Sequence, residues 1–327
     1  MPWKGEKDPY KIWLSEIILQ QTRVEQGRRY YENFLAAFPT AGALAEAPPE
    51  KVFKLWEGLG YYSRCRNLLA AALQVRNEHK GKFPDTYTSI AGLKGVGPYT
   101  AAAIASFAFN LPHAVVDGNV YRVLSRFFGI HTPIDNTAGK KEFASLAQEV
   151  LDKTRPGDYN QAIMDFGATI CKPQPLCTEC MLRRHCSAFR EGTAAYLPVK
   201  SKKPALKKRW MHYLVVQADD KVLVRQRRHK DIWQNLHEFF LVETSKPLSI
   251  EELLASLHYH ADVKKATAPE AVEKKMQKLT HQEIHFLLAK LNIARSVPVK
   301  DYTWINIDDA RQLAFPRTLK SYLDKHL

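Results

Sequence analysis

Apolar residues between Pro9 and about Ala188 recur mostly at the three-to-four-residue spacing of helices, and strand patterns are hard to find there. Glycine and proline punctuation, such as "AFPTAG" and "GKFPDT", separates the periodic segments. This half of the chain is therefore predicted to be all-α. The predicted helices cover residues 9–20, 23–37, 49–56, 63–79, 98–109, 118–128, 139–152 and 158–170.

The pattern changes beyond Trp210, where β-branched residues become frequent. The runs "HYLVVQ" and "KVLVRQRR" flank Asp219 and Asp220, which predicts a β-hairpin. "HEFFLVE", "IHFLLAKLN" and "YTWINI" predict further strands, and residues 249–257 and 317–325 predict helices. The second half is therefore expected to be a small α+β domain.

A basic segment separates the two patterns. "KSKKPALKKR", residues 200–209, carries six basic residues and a proline, which is typical of an exposed linker. We expect a helical domain over residues 1–195, a basic linker over 196–209 and the α+β domain over 210–327. A chain of 327 residues, 45% of them hydrophobic, is long enough for two cores.

The net charge of +14 indicates an anionic partner, because an excess of lysine and arginine is typical of proteins that bind phosphates. A merely basic enzyme is the alternative. No stretch approaches the roughly 20 apolar residues that span a bilayer, and no secretory signal pattern is visible. We expect a cytoplasmic protein with no membrane partner.

The first helix carries an unusual acid. In "DPYKIWLSEIILQQTRVEQ", residues 8–26, Glu16 stands in an apolar run and points the same way as Trp13. A carboxyl group in apolar surroundings has a raised pKa and can hold a proton near neutral pH. The helical pattern by itself does not assign a role to this acid.

Two further motifs follow one another along the helical half. In "LKGVGPYTAAAIASFAF", Gly95 and Gly97 precede Pro98, which predicts a tight turn between helices whose backbone N–H groups could cradle a phosphate. An ordinary interhelical turn explains this motif about equally well. In "VVDGNVYRVLSRF", Asp117 before Gly118 is either a helix N-cap or a catalytic carboxylate.

Four of the five cysteines lie within residues 171–186, which is not typical of a secreted disulfide framework. Four thiolates can hold zinc or a [4Fe–4S] cluster, and their spacing does not choose between them. The candidate metal ligands are Cys171, Cys177, Cys180 and Cys186. Cys65 stands apart and is expected to be a buried small residue.

Together these motifs resemble the helix-hairpin-helix DNA glycosylases. "WLSEIILQQTRVEQ" and "GLGYYSRCRNL" are similar to segments of one branch, the adenine DNA glycosylases of the MutY family. The resemblance implies a [4Fe–4S] cluster on the four cysteines and a hairpin at Gly95 and Gly97 that grips the DNA backbone. The family pattern has six residues between the first two cysteines, whereas five separate Cys171 from Cys177 here.

The resemblance also implies catalytic roles. Glu16 would protonate N7 of adenine, Asp117 would stabilise the oxocarbenium-like sugar, Asn119 would orient Asp117, and Tyr99 would support the charge build-up. Tyr99 stands where relatives similar to endonuclease III have the lysine that attacks the sugar. A phenol cannot form an imine, so hydrolysis without strand cleavage is expected.

Further residues are implied to meet the DNA. Gln20, Gln21 and Thr22 would enter the duplex near the vacated base, Tyr61 would wedge beside the opposing damaged guanine, and Trp3 would line the adenine pocket. Such contacts offset the few kcal/mol that extruding a base costs. The expected partner of the protein, which we expect to be a monomer, is double-stranded DNA containing A:8-oxoguanine or A:G mispairs.

The second half resembles the family's Nudix-like domain, which recognises 8-oxoguanine. "KLTHQEIHF" would supply Thr280 and His281 to the oxidised base. The carboxylate-rich Nudix box is missing after "HEFFLVE", so nucleotide hydrolysis is not expected. The alternatives are a bifunctional glycosylase/lyase similar to endonuclease III and a non-catalytic iron–sulfur DNA-binding protein.

Overall fold

The computed structural model describes residues 5–201, 206–260, 268–279 and 281–327. Contacts divide the chain into two compact units. Unit 1 comprises Met1–Ala47 and Arg66–Lys203, and unit 2 comprises Pro48–Cys65 and Pro204–Leu327. Within the described ranges, no helix is both long and apolar enough to cross a membrane.

The first half of the chain is helical, which confirms the predicted class. Its helices are α1 (Pro9–Leu19), α2 (Val24–Ala37), α3 (Ala41–Glu46), α4 (Pro49–Trp56), α5 (Tyr62–Glu78), α6 (Tyr87–Ala91), α7 (Pro98–Phe109), α8 (Gly118–Phe128), α9 (Thr137–Glu149), α10 (Pro156–Thr169) and α11 (Ser187–Arg190). The sequence pattern missed the short helices α3 and α6, because five or six residues are too few to show a helical period.

Close helix packing in unit 1 depends on small residues. Residues 101–105 of α7 are four alanines and Ile104, and each of them is at most 3% exposed. A Cβ atom on Gly157 would lie 2.8 Å from the Ser106 carbonyl oxygen, and one on Gly167 would lie 2.7 Å from the Asn119 Cβ. These two glycines therefore let α10 approach α7 and α8 closely, which fixes the start of α8.

Unit 2 is built on a mixed sheet. Its strands are β1 (Lys207–Ala218), β2 (Lys221–Gln226), β3 (His237–Glu238), β4 (Phe240–Thr244), β5 (Glu270–Lys278), β6 (Gln282–Asn292) and β7 (Thr303–Asn306). The order is β3-β2-β1-β6-β5, with β4 paired to β1 and β7 to β2. Strands β1 and β6 run parallel along their length, and the other pairs are antiparallel.

The predicted hairpin between β1 and β2 is confirmed, since Ala218 pairs with Lys221. The described part of the second half also contains the helices α12 (Ile250–His260), α13 (Ile307–Gln312) and α14 (Arg317–His326). The sequence pattern missed β5, because "EAVEKKMQK" has too few apolar residues for a clear alternation. It also missed α13, which begins directly after β7.

Helix α4 belongs to unit 2, although it lies in the helical half of the chain. Val52, Phe53 and Trp56 form its buried face and are at most 3% exposed. The polar residues Lys54 and Glu57 flank that face and reach the segment between α13 and α14. The loop after α4 carries Tyr61.

Candidate active site

A cavity of about 850 Å³ opens in unit 1 between α1, the turn that follows it, the starts of α7 and α8, and α10. It brings together residues that are far apart in the sequence. The predicted site residues that line it are Glu16, Gln20, Gln21, Thr22, Tyr99, Asp117 and Asn119. The cavity is therefore the candidate active site.

Glu16 projects from α1 into this cavity. Its pKa is raised to about 7, mainly by burial; a hydrogen bond from Tyr99 lowers the pKa, and the nearby charge of Asp117 raises it. A carboxyl group with a pKa near 7 is partly protonated at neutral pH and can act as a general acid. The structure thus gives Glu16 the property that the sequence pattern suggested.

Tyr99 occupies the first turn of α7, immediately after Pro98. Burial raises the pKa of its hydroxyl well above the usual range, and the charges of Glu16 and Asp117 act in the same direction. Tyr99 therefore stays neutral and donates its proton in the hydrogen bond to Glu16.

Asp117 is the N-cap of α8 and also lines the cavity. Its Oδ1 accepts hydrogen bonds of 2.8 Å from the backbone N–H groups of both Asn119 and Val120. Its Oδ2 accepts from Asn119 Nδ2 at 2.5 Å. The capping and catalytic interpretations are compatible, because the cap fixes the orientation of the carboxylate that faces the cavity.

Arg122, which the sequence analysis did not single out, supports this carboxylate through Asn119. Its Nη2 donates to Asn119 Oδ1 at 2.6 Å and to the Gly167 carbonyl at 2.8 Å. Its Nε donates to the Cys171 carbonyl at 3.1 Å. The position of Arg122 three residues after Asn119 on a helix is the only sequence signal for this contact, and it is weak.

The four clustered cysteines line a single small cavity with Arg126. Arg126 Nη1 lies 3.4 Å from Cys171 Sγ, and the Cys186 thiol lies 3.3 Å from the Arg126 carbonyl oxygen. Burial raises the pKa of the Cys171 and Cys177 thiols. In the part of the chain that the structure describes, no group of three or more histidine, cysteine or acidic side chains is arranged to hold a metal ion.

Two predicted DNA-contacting residues have unusual backbone conformations. Gln21, just after α1, has φ of 57°, and Tyr61 has φ of 48°. Residues other than glycine rarely adopt positive φ, and such strain concentrates at functional sites. Tyr61 is 45% exposed, and the Arg64 guanidinium lies 5.3 Å from the centroid of its ring.

The two glycines of the α6–α7 turn differ in the space that surrounds them. Gly95 has φ of 78°, and a Cβ there would lie 2.5 Å from the Asn67 Cβ. No described heavy atom lies within 4 Å of a Cβ built on Gly97, the exposed residue that precedes α7. Gly95 is thus required by the fold, whereas Gly97 leaves open space in front of the N-terminus of α7.

The remaining predicted residues are less fully described. Trp3 and Thr280 lie outside the described residues. His281 is exposed between β5 and β6, where its carbonyl accepts a hydrogen bond of 3.0 Å from the Lys207 N–H. Cys65 is fully buried in unit 2, away from the cysteine cluster in sequence.

Comparisons with known proteins show which proteins this chain is similar to. Residues 14–151 match the HhH-GPD superfamily base excision DNA repair protein, and residues 211–325 match the NUDIX domain. The adenine DNA glycosylase of Buchnera aphidicola subsp. Baizongia pistaciae (strain Bp) is 36% identical over 73% of this chain and 68% of its own length. That of Buchnera aphidicola subsp. Schizaphis graminum (strain Sg) is 29% identical over 99% and 93%, respectively. The structure of a thermostable thymine-DNA glycosylase aligns with a TM-score of 0.55 and 30% identity, covering 58% of this chain and 88% of that one.

Proposed function

Because this chain belongs to the adenine DNA glycosylase family, a family of base excision repair enzymes, we propose that its substrate is adenine opposite 8-oxoguanine or guanine in duplex DNA. The observation that carries the proposal is the grouping of Glu16, Tyr99 and Asp117 in one cavity of about 850 Å³. That volume lies within the roughly 300–1,000 Å³ of typical ligand pockets, so a single extruded nucleotide would fit.

The proposed reaction divides the work between two carboxyl groups. Glu16, whose pKa is about 7, donates a proton to N7 of adenine, which weakens the N-glycosidic bond. Asp117, held by three hydrogen bonds, places its negative charge beside the positive charge that develops on the sugar. The same division of roles between acid and carboxylate occurs in retaining glycosidases.

The proposed outcome is hydrolysis alone. Tyr99 has no amine to attack the sugar, so no Schiff base forms at that position and the DNA strand is left intact at the abasic site. Its hydroxyl instead holds Glu16 in place through their hydrogen bond.

The proposed DNA contacts lie in the cavity lining and at the start of α7. Gln20, Gln21 and Thr22 form part of its lining and would fill the space that the adenine vacates. The exposed backbone at Gly97, which precedes α7, would bind a phosphate at the positive end of that helix. Such backbone contacts read no base sequence, as repair of dispersed lesions requires.

We further propose that the four cysteines hold a [4Fe–4S] cluster. They surround one cavity, and Arg126 provides a donor to the sulfur of Cys171. Four thiolates accept either zinc or a [4Fe–4S] cluster, and the resemblance to the iron–sulfur branch of the helix-hairpin-helix glycosylases favours the cluster. A bound cluster would cross-link the loop that it organises.

In the second domain, Thr280 and His281 are proposed to recognise the oxidised guanine. The exposure of His281 between β5 and β6 supports this proposal, since a recognising side chain must be accessible to the base. Tyr61 would act as a wedge beside the same base, and its 45% exposure supports that role.

The proposal is tested by single-turnover release of adenine from a duplex with one A:8-oxoguanine pair. We expect the wild-type protein to release adenine, and Glu16→Gln and Asp117→Asn to lose most of the activity. Glu25→Gln changes an exposed acid on α2 and is the matched control. Full activity in either site variant would refute the mechanism.

Two outcomes would favour the alternative functions. Trapping of a covalent protein–DNA adduct with borohydride would indicate a glycosylase/lyase. Tight binding to the mispair without any release of adenine would indicate a non-catalytic DNA-binding protein.

A further inference from the structure

Lys54 connects α4 to the segment between α13 and α14 of the second domain. Its Nζ donates to the carbonyl oxygens of Arg311 at 2.7 Å and Leu313 at 3.0 Å, and to Glu57 Oε2 at 2.9 Å. An ammonium group has three N–H donors, so these three acceptors use all of them. The two carbonyls lie at the C-terminal end of α13, where a cation is electrostatically favoured.

Glu57 makes the second connection. Its Oε1 accepts a hydrogen bond of 2.9 Å from the backbone N–H of Phe315. Phe315 is fully buried and stacks on Phe239 with ring centroids 5.2 Å apart. Lys54 and Glu57 therefore attach the end of α4 to a rigid part of the domain core.

The loop that follows Glu57 is held as one body up to Tyr61. Trp56 Nε1 donates to the Gly60 carbonyl at 2.9 Å, and the Gly58 N–H donates to the Tyr62 hydroxyl at 3.1 Å. Gly58 and Gly60 adopt positive φ without strain, whereas Tyr61, with φ of 48°, needs support from its surroundings to keep this conformation. Movement of the attached end would therefore move Tyr61.

A further hydrogen bond joins α14 to β5, the strand that precedes His281. Gln277 near the end of β5 accepts a hydrogen bond of 3.2 Å from the Thr318 hydroxyl in the first turn of α14. Thr318 is three residues from Phe315, whose N–H binds Glu57. Hydrogen bonds thus connect the end of the β5–β6 pair to the Tyr61 loop within unit 2.

We propose that Lys54 and Glu57 are positioning residues through which the second domain sets the place of Tyr61 and thereby the preference for the base opposite adenine. The inference rests on the proposed function, because it assigns Tyr61 to the opposing base. Lys54 and Glu57 are assigned this role although neither lines the cavity that is proposed to bind adenine. They act through the loop between α4 and α5.

The test is the ratio of single-turnover rates of adenine release from A:8-oxoguanine and A:G duplexes. Lys54→Met keeps the apolar stem and removes the donors, and we expect the ratio to fall roughly threefold to tenfold. Lys54→Arg retains donors and charge and should restore most of the ratio. Lys51→Met, at an exposed position on the same helix, is the control and should leave it unchanged.

A double-mutant cycle separates positioning from a general loss of structure. If Lys54 acts through Tyr61, Lys54→Met should have no further effect on the ratio in a Tyr61→Ala background. Equal reduction of both rates by Lys54→Met, or an additive effect in the double variant, would overturn the proposal.

A second readout is independent of catalysis. Hydrogen–deuterium exchange of the 57–62 segment should accelerate in Lys54→Met and not in Lys51→Met, and unchanged exchange would count against the proposal. A wild-type protein that released no adenine would refute the proposed function instead. In that case the effect of Lys54 on the loop would still be tested by hydrogen–deuterium exchange. It would also be tested by the ratio of the binding affinities for the A:8-oxoguanine and A:G duplexes.

Discussion

The hydrogen bond between Tyr99 and Glu16 makes a specific prediction about pH. The reaction requires protonated Glu16, so the rate of adenine release should fall as pH rises through about 7, the pKa of this carboxyl group. The Tyr99 hydroxyl stabilises the charged form of Glu16 and so lowers that pKa. Tyr99→Phe removes this donor and should move the alkaline limb of the pH–rate profile to higher pH.

The size of the shift follows from the strength of the lost contact. A hydrogen bond to a charged group contributes about 1.5–3 kcal/mol to stability. One pKa unit corresponds to about 1.4 kcal/mol, so the alkaline limb should move by about one unit or more. The maximum rate should also fall, because the charge build-up at the sugar loses a neighbour.

The assay is single-turnover adenine release from an A:8-oxoguanine duplex between about pH 5.5 and 9, with the rate fitted to a titration curve. Tyr196→Phe is the control, because Tyr196 is 78% exposed and does not line the cavity. An alkaline limb that stays in place in Tyr99→Phe, or moves to lower pH, would refute the assignment of Glu16 as the acid that Tyr99 tunes.

Three further predictions follow from the same structure. Folding raises the pKa of Glu16 from 4.5 to about 7, so the folded state loses stability relative to the unfolded state as pH rises through this range. Glu16→Gln removes the buried charge and should therefore raise Tm at pH 8, with little effect at pH 5. An unchanged Tm at pH 8 would contradict the buried charge. Gly167→Ala should lower the free energy of unfolding in urea by about 1–3 kcal/mol, because the added Cβ would clash with Asn119. Gly97→Ala should leave that free energy unchanged and weaken DNA binding in a filter or anisotropy assay. Equal stability of the two variants would refute the packing argument. The purified protein should contain about four iron atoms per chain and absorb near 400 nm, and Cys177→Ala should lower both values; zinc on metal analysis would refute the cluster.

The sequence located much of the helical half, because a helix repeats its apolar residues every three to four positions and glycine or proline marks its ends. Predicted helices at 9–20 and 98–109 agree with α1 and α7 to within one residue. The polar strand β5 and the short helices α3 and α6 lacked such a pattern. Their conformations depend on neighbours that the local sequence does not specify.

In the candidate site too, the local sequence explains some features and tertiary contacts explain the others. The sequence by itself determined which residues have the required chemistry: an isolated acid at Glu16, a capping acid at Asp117 and four clustered cysteines. Only the tertiary structure decided that Glu16, Tyr99 and Asp117 share one cavity, and that Arg122 supports Asn119.

Tertiary structure alone also placed α4 and the Tyr61 loop with the second unit, through Lys54 and Glu57. The physical reason is that helix periods and turn residues act over a few neighbouring positions. Contacts between distant segments depend instead on how complete faces pack, and a lysine that caps a carbonyl some 250 residues away has no local signature.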